Sequence, residues 1–317
     1  MKKLLSLICV ISLSWYSTMA QQDAHYSFYM FNGLYLNPAY AGSHDVVNTM
    51  AIYRTQWTKI DGAPRSASVS IHSPIGHSNN ALGLIYTNDR IGTVQSNAFQ
   101  VSYAYRIPVG KKKNTKIAFG VQAGVSNYQN RLGDAITNPG LSGVDPAFTN
   151  NHNLWLPNVG VGIYIYGDKF FVGASVPHLL NFSLNDKVKY AGDKADYARL
   201  YRHYLLTAGY VFDLGKKVKF RPSLLMKYVH NAPLDFDITA AFMFVDRIWI
   251  GASHRVGDSY DFFGDFYVTP QFHIGYDYDL TISGLSKYAG GTHEIMLGYD
   301  FQYKKSKLVN PRYVKYF

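Results

Sequence analysis

Polar and apolar residues alternate along most of the chain. Across residues 271–280 one set is polar or small: Gln271, His273, Gly275, Asp277 and Asp279. The interleaved set, Phe272, Ile274, Tyr276, Tyr278 and Leu280, is apolar or aromatic. Residues 292–303 divide the same way, Glu294, Met296, Gly298, Asp300 and Gln302 against Ile295, Leu297, Tyr299, Phe301 and Tyr303. Val159, Val161, Ile163 and Ile165 form one apolar face, and Ile117, Phe119, Val121, Ala123 and Val125 form another. A period of two places successive side chains on opposite faces of a strand. Such segments predict about fourteen strands, the even count of single-chain outer-membrane barrels. The first is expected at 46–57, the third at 80–88, the sixth at 158–166 and the last at 292–303.

Composition says what the apolar face meets. Aromatic residues make up 16% of the chain, led by 27 tyrosines, and charged residues only 16%, against roughly 25% in soluble domains. A soluble β-sandwich would carry more charge. Beyond residue 20 no apolar run approaches the ~18 residues of a membrane helix. Together these predict an all-β fold, a transmembrane antiparallel β-barrel of the outer membrane, with apolar side chains toward lipid and polar ones toward the lumen. Even-numbered strands are followed by tight turns such as "GHSN", "GKKKNT", "YGDK" and "LGKK". Longer links, 58–64, 128–157, 177–202 and 281–291, follow odd-numbered ones. Short periplasmic turns and long outer loops are the usual asymmetry of such barrels, which puts both ends of the strand series in the periplasm.

Lys2 and Lys3, the apolar run 4–13 and the small-x-small site Thr18-Met19-Ala20 read as a secretory leader, residues 1–20. Residues 21–45 are then a periplasmic segment or plug, 46–303 the barrel and 304–317 a basic periplasmic tail. The single cysteine, Cys9, falls in the leader, so the mature chain offers no disulfide and no thiolate ligand.

The net charge is +10. Much of it falls on the short turns and tail: Lys111, Lys112, Lys113, Lys116, Lys169, Lys216, Lys217, Lys219, Arg247, Lys304, Lys305 and Lys307. Lysines there either solubilise turns and meet lipid phosphate or dock an acidic periplasmic partner. Nucleic acid is not expected in that compartment, and no nucleic-acid motif is present. Enzyme chemistry has little to stand on. Ser70 and His72 share a strand face, as in a barrel hydrolase, but with Ser66 and Ser68 they read as a polar lumen stripe. The pairs Asp235/Asp237 and Asp277/Asp279 lack the glycine-turned ligand loop of a calcium site and read as solvated charges. His152, His178 and His230 have no metal-ligand spacing. No phosphate-binding glycine loop occurs, so no cofactor is expected.

One stretch fits none of this. Residues 29–43, "YMFNGLYLNPAYAGS", are too broken for a helix, with turn signals at Asn37-Pro38 and Ala41-Gly42. Yet Tyr29, Met30, Phe31, Leu34, Tyr35, Leu36 and Tyr40 are a load that water would not leave free. The expectation is a plug or lid folded back at the periplasmic end. This segment, the final hairpin "QFHIGYDYDLTISGLSKYAGGTHEIMLGYDF" and the later "NPRY" resemble the PorP/SprF family of type IX secretion. The family motif maps onto Tyr29, Met30, Phe31, Asn32, Asn37, Pro38, Ala39, Tyr40, Ala41 and Gly42. The resemblance implies a non-enzymatic outer-membrane component serving secretion or surface anchoring of adhesin-like cargo with a C-terminal secretion domain, in gliding bacteria among others. It also implies links to periplasmic ring lipoproteins. Two other functions stay open at this point, a general porin and a barrel hydrolase. Long loops 128–157 and 177–202 are expected to face cargo.

Overall fold

A computed structural model of the chain describes residues 25–110, 114–131, 151–180, 202–230 and 232–301. β1 (Val47–Thr55) pairs antiparallel with β2 (Arg65–Pro74) on one side and with β15 (Thr292–Phe301) on the other. Next-neighbour pairing then runs through β3 (Asn80–Ile91), β4 (Val94–Val109), β5 (Thr115–Asn130), β6 (His152–Tyr166) and β7 (Phe170–Val176) to β8 (His203–Tyr210). The short β9 (Phe212–Asp213) continues β8 past Val211, and both pair with β10 (Val218–Val229). β11 (Asp235–Phe244), β12 (Ile248–Arg255), β13 (Ser259–Tyr267) and β14 (Phe272–Thr281) complete the ring. Counting β8 and β9 as one, fourteen strands close into a barrel, which leaves no unpaired edge to lipid.

The alternation sorts as its chemistry requires. Val101, Phe119, Val161, Ile238, Ile250, Phe262, Ile274 and Leu297 are exposed on the outer wall, and Tyr103, Tyr105 and Tyr276 join them. Ser66, Ser68, Ser70, His72, Asp277, Asp279 and Glu294 point inward and are buried. The wall is uneven in height. β4 and β5 are sixteen residues each and β6 fifteen, more than the ~9–11 a tilted strand needs to cross hydrocarbon. β7 has only seven.

Those tall strands revise the loop boundaries. β5 runs on to Asn130 and β6 starts at His152, so part of the expected 128–157 loop is paired sheet. Trp155, expected on a loop, projects from β6 and is 62% exposed. A continuous ladder of cross-strand bonds outcompetes a loop wherever both strands have partners. The Asn-rich tips carry little hydrophobic alternation to signal it. β3 likewise continues to Ile91 and turns through Gly92 and Thr93 alone, Gly92 supplying φ = 56°. Residues 132–150 and 181–201 lie outside the described residues.

Candidate functional site

The aromatic segment lies inside the barrel. It comprises a 3-10 turn (Ser27–Met30), one α turn (Gly33–Leu36) and a second 3-10 turn (Pro38–Tyr40). Each is too short to be stable alone. The wall supplies the partners that the broken backbone lacks. Phe28, Tyr29, Met30, Leu34, Leu36, Ala39, Tyr40 and Ala41 are all buried and form the centre of the hydrophobic core. Burying a large apolar side chain contributes about 1.5–3 kcal/mol. The segment is therefore held against the wall by far more than thermal energy.

Asn37 shows why the motif reads as it does. Its extended backbone precedes Pro38, whose fixed φ starts the following turn. The Asn37 side chain caps that turn, accepting from Ala39 N at 2.9 Å, and donates to the Ile163 carbonyl of β6 at 2.9 Å. The Ser175 hydroxyl of β7 donates to Leu36 O at 2.6 Å. The approach is close enough to require glycine in the wall. A Cβ on Gly120 would lie 2.1 Å from Ala39 N, and one on Gly162, its cross-strand partner, 2.0 Å from the Asn37 side-chain oxygen. Lower down, Arg106 donates to Gly42 O at 2.6 Å and pairs with Asp45 at 2.8 Å.

At the other end of the segment buried charge does the holding. Glu294 accepts from Ser27 N at 2.9 Å and Phe28 N at 2.8 Å. Arg54 bridges Glu294 at 3.0 Å, Asp279 at 2.7 Å and the Ser27 hydroxyl at 2.8 Å. Arg255 pairs with Asp237 at 3.1 Å, which also holds His25 at 2.9 Å. Arg221 stacks between Phe31 and Trp249, 4.8 and 4.4 Å from their ring centres. Asp237, Asp277 and Asp279, expected as solvated charges, are thus buried in the packed lumen. Asp235 stays partly exposed nearer the strand end. Their same-face spacing was visible in sequence, but the partners of Asp237 and Asp279, namely Arg54, Arg255 and His25, are remote in the chain.

The direction of travel corrects the expected lid. His25 and Ser27 sit beside Asp237, Arg54 and Glu294, at the barrel end that carries the long loops. Gly42 meets His72 and Arg106, toward the short-turn end where β1 begins. The segment therefore runs the length of the lumen instead of capping one mouth. The described segment thus begins, with His25, at the long-loop end, away from the start of the strand series.

Ser70 and His72 are also accounted for. Ser70 donates to the Asn32 side-chain oxygen at 3.1 Å, and His72 Nδ1 accepts from Gly42 N at 3.2 Å. Both serve the plug. Among the described residues no cluster of His, Cys, Asp and Glu is arranged to hold a metal ion. On the short-turn rim Lys216 and Lys217 are exposed in the turn before β10. Lys116, Lys169 and Lys219 are instead held by Asp45, Asp213 and Asp246, at 2.9, 2.7 and 2.5 Å. The free positive charge of that rim is smaller than a count of lysines suggests. Lys111, Lys112, Lys113, Lys304, Lys305 and Lys307 lie outside the described residues.

Residues 18–299 match the family model described as type IX secretion system membrane protein PorP/SprF. The chain belongs to the PorP/SprF family. It is an outer-membrane β-barrel component of type IX secretion, and the motif 29–42 that carries the resemblance is the lumen plug. No curated protein sequence matches it. Solved structures similar to it include the Acinetobacter baumannii outer membrane protein Omp33, at TM-score 0.46 and 9% identity over 81% of this chain and 98% of that one. A Pseudomonas aeruginosa FadL homologue gives TM-score 0.43 and 12% identity over 86% and 94%. The KdgM porin gives TM-score 0.39 and 11% identity over 81% and 100%.

Proposed function

We propose that this PorP/SprF protein is a non-enzymatic, non-conducting scaffold. It holds adhesin-like cargo at the long-loop mouth and engages periplasmic machinery through its short-turn rim. The observation that carries this is the filled lumen. A porin needs a water-lined path, whereas here residues 26–42 pack the interior and Arg54 and Arg255 are paired with Glu294, Asp279 and Asp237. A hydrolase needs a free nucleophile, whereas Ser70 and His72 are both bonded to the plug. Long loops on a rigid wall suit recognition. The exposed Lys216 and Lys217, with Lys111, Lys112, Lys113, Lys304, Lys305 and Lys307, suit an acidic partner such as a ring lipoprotein. Single exposed charge contacts contribute only about 0–1 kcal/mol, but several together steer association and are screened as salt rises.

The test is reversal of Lys111, Lys112, Lys113, Lys216 and Lys217 to Glu, beside deletion of residues 140–150. Heat-modifiable gel mobility should survive in both variants, because the changes fall between successive strands in the chain. The reversed rim should lose periplasmic partners on co-purification, and the loop deletion should lose surface cargo. Wild-type retention of both partner classes would remove the scaffold role.

A further inference from the structure

The outward face of the wall changes character toward the long-loop end. Val69, Tyr86 and Phe99 stand side by side across β2, β3 and β4 and are exposed to lipid. Two residues further along each strand, the same face carries Asn88, Asn97 and Asn127, with Trp155 beside them on β6. The next row carries Arg65, Arg90, Gln95 and Gln129. Between Val69 and Arg65, roughly 13 Å of strand, lipid-facing side chains give way to amides and then to guanidinium groups. This is the level of the headgroups, just beyond the hydrocarbon core. Tyr86 and Trp155, exposed at the step, are the aromatic types that settle at a membrane–water interface. The arginines are set against each other. Arg65 and Arg90 are directly opposite in register and both are exposed. Their Cβ atoms are then ~4.5–5.5 Å apart, a like-charge contact that destabilises a sheet. No acid offsets it: neither arginine makes an ion pair among the described residues, and their other cross-strand neighbours are Thr55 and Gln95. Asp89, next to Arg90, is turned to the inner face and bonded to Ser66.

We propose that this face binds the phosphate of an outer-leaflet glycolipid. The amides are already spent in one sense. Asn97 Oδ1 accepts from Tyr86 at 2.9 Å and Asn88 at 2.7 Å. Asn127 Oδ1 accepts from Gln129 at 2.6 Å, and Asn153 Oδ1 from Asn127 at 2.6 Å. Gln129 Oε1 accepts from Arg131 at 3.3 Å, which brings a third guanidinium to the face. With these oxygens accepting, what the face offers is N–H donors and positive charge. Guanidinium groups match phosphate oxygens in geometry and charge, and one anion shared by Arg65 and Arg90 removes their repulsion. The acyl chains of the same lipid lie along Val69, Tyr86 and Phe99, and its sugar against the amide row and Trp155. An acidic protein would use the arginines but not the apolar row that continues beneath them, so the continuity of the face with the lipid-facing wall favours lipid.

The experiment uses the full chain in detergent, mixed with bisphosphorylated lipid A or with the same lipid freed of its phosphates, and counts bound lipid by native mass spectrometry. The phosphorylated lipid should be retained at least tenfold more. Arg65→Gln with Arg90→Gln should abolish that preference while heat-modifiable mobility is kept. Lys59→Gln with Lys287→Gln, two exposed cations on the links at the same end, should leave it unchanged. Equal retention of both lipids, retention of neither, or a preference that survives in the arginine variant would overturn the site. A preference lost equally in the lysine variant would overturn it too, leaving only diffuse charge. If the arginine variant keeps the lipid but loses cargo from the cell surface, the face belongs to a protein and the lipid site is refuted.

Discussion

Glu294 is wholly buried, yet it does not spend its charge on one partner. It takes two backbone N–H groups from the plug and one arm of Arg54. Removing one member of such a set leaves the others buried and unpaired, which typically costs about 3–5 kcal/mol. Glu294→Ala should therefore release residues 26–31 without opening the barrel, whose ladder does not depend on that side chain. Limited chymotrypsin digestion of folded, heat-modifiable protein should cut there in the variant and not in the wild type. Equal protection of both would mean that the carboxylate does not anchor the segment.

As an element, the plug owes its position to small residues on two strands and in its own chain. A Cβ on Gly83 would stand 3.4 Å from that of Ala41, close to the ~3.5–4.5 Å range of disulfides. Ala41→Cys with Gly83→Cys should crosslink on mild oxidation, and thiols that stay open to a labelling reagent would contradict the placement. The strands themselves were legible in sequence because lipid on one side and a polar lumen on the other force a period of two. That the segment 29–43 needed cover was legible too, from its aromatic load. Its depth and direction were not. They depend on Asn37 reaching the Ile163 carbonyl, on Gly120 and Gly162 flattening the wall, and on Glu294 waiting more than 260 residues away. None of those pairings has a local signature. The charge cage was missed for the same reason: Asp237 and Asp279 show their faces, but not the arginines opposite.

For the whole molecule, the path of the plug separates the two ends of the barrel. Long loops on the outer side place His25, where the described segment begins, at the cell-surface end of the lumen. An epitope joined just before residue 25 of the mature protein should bind antibody on intact cells, while one inserted in the turn 214–217 should need permeabilised cells. Protection of the first epitope on intact cells would reverse the assigned direction. The central claim, that the protein fills its own lumen and acts as a scaffold, is tested most directly by single-channel recording in planar bilayers. The wild-type protein should show no steady conductance, and a variant lacking residues 26–42 that still shows heat-modifiable mobility should conduct. A wild-type protein that conducts as freely as the deletion variant would contradict it.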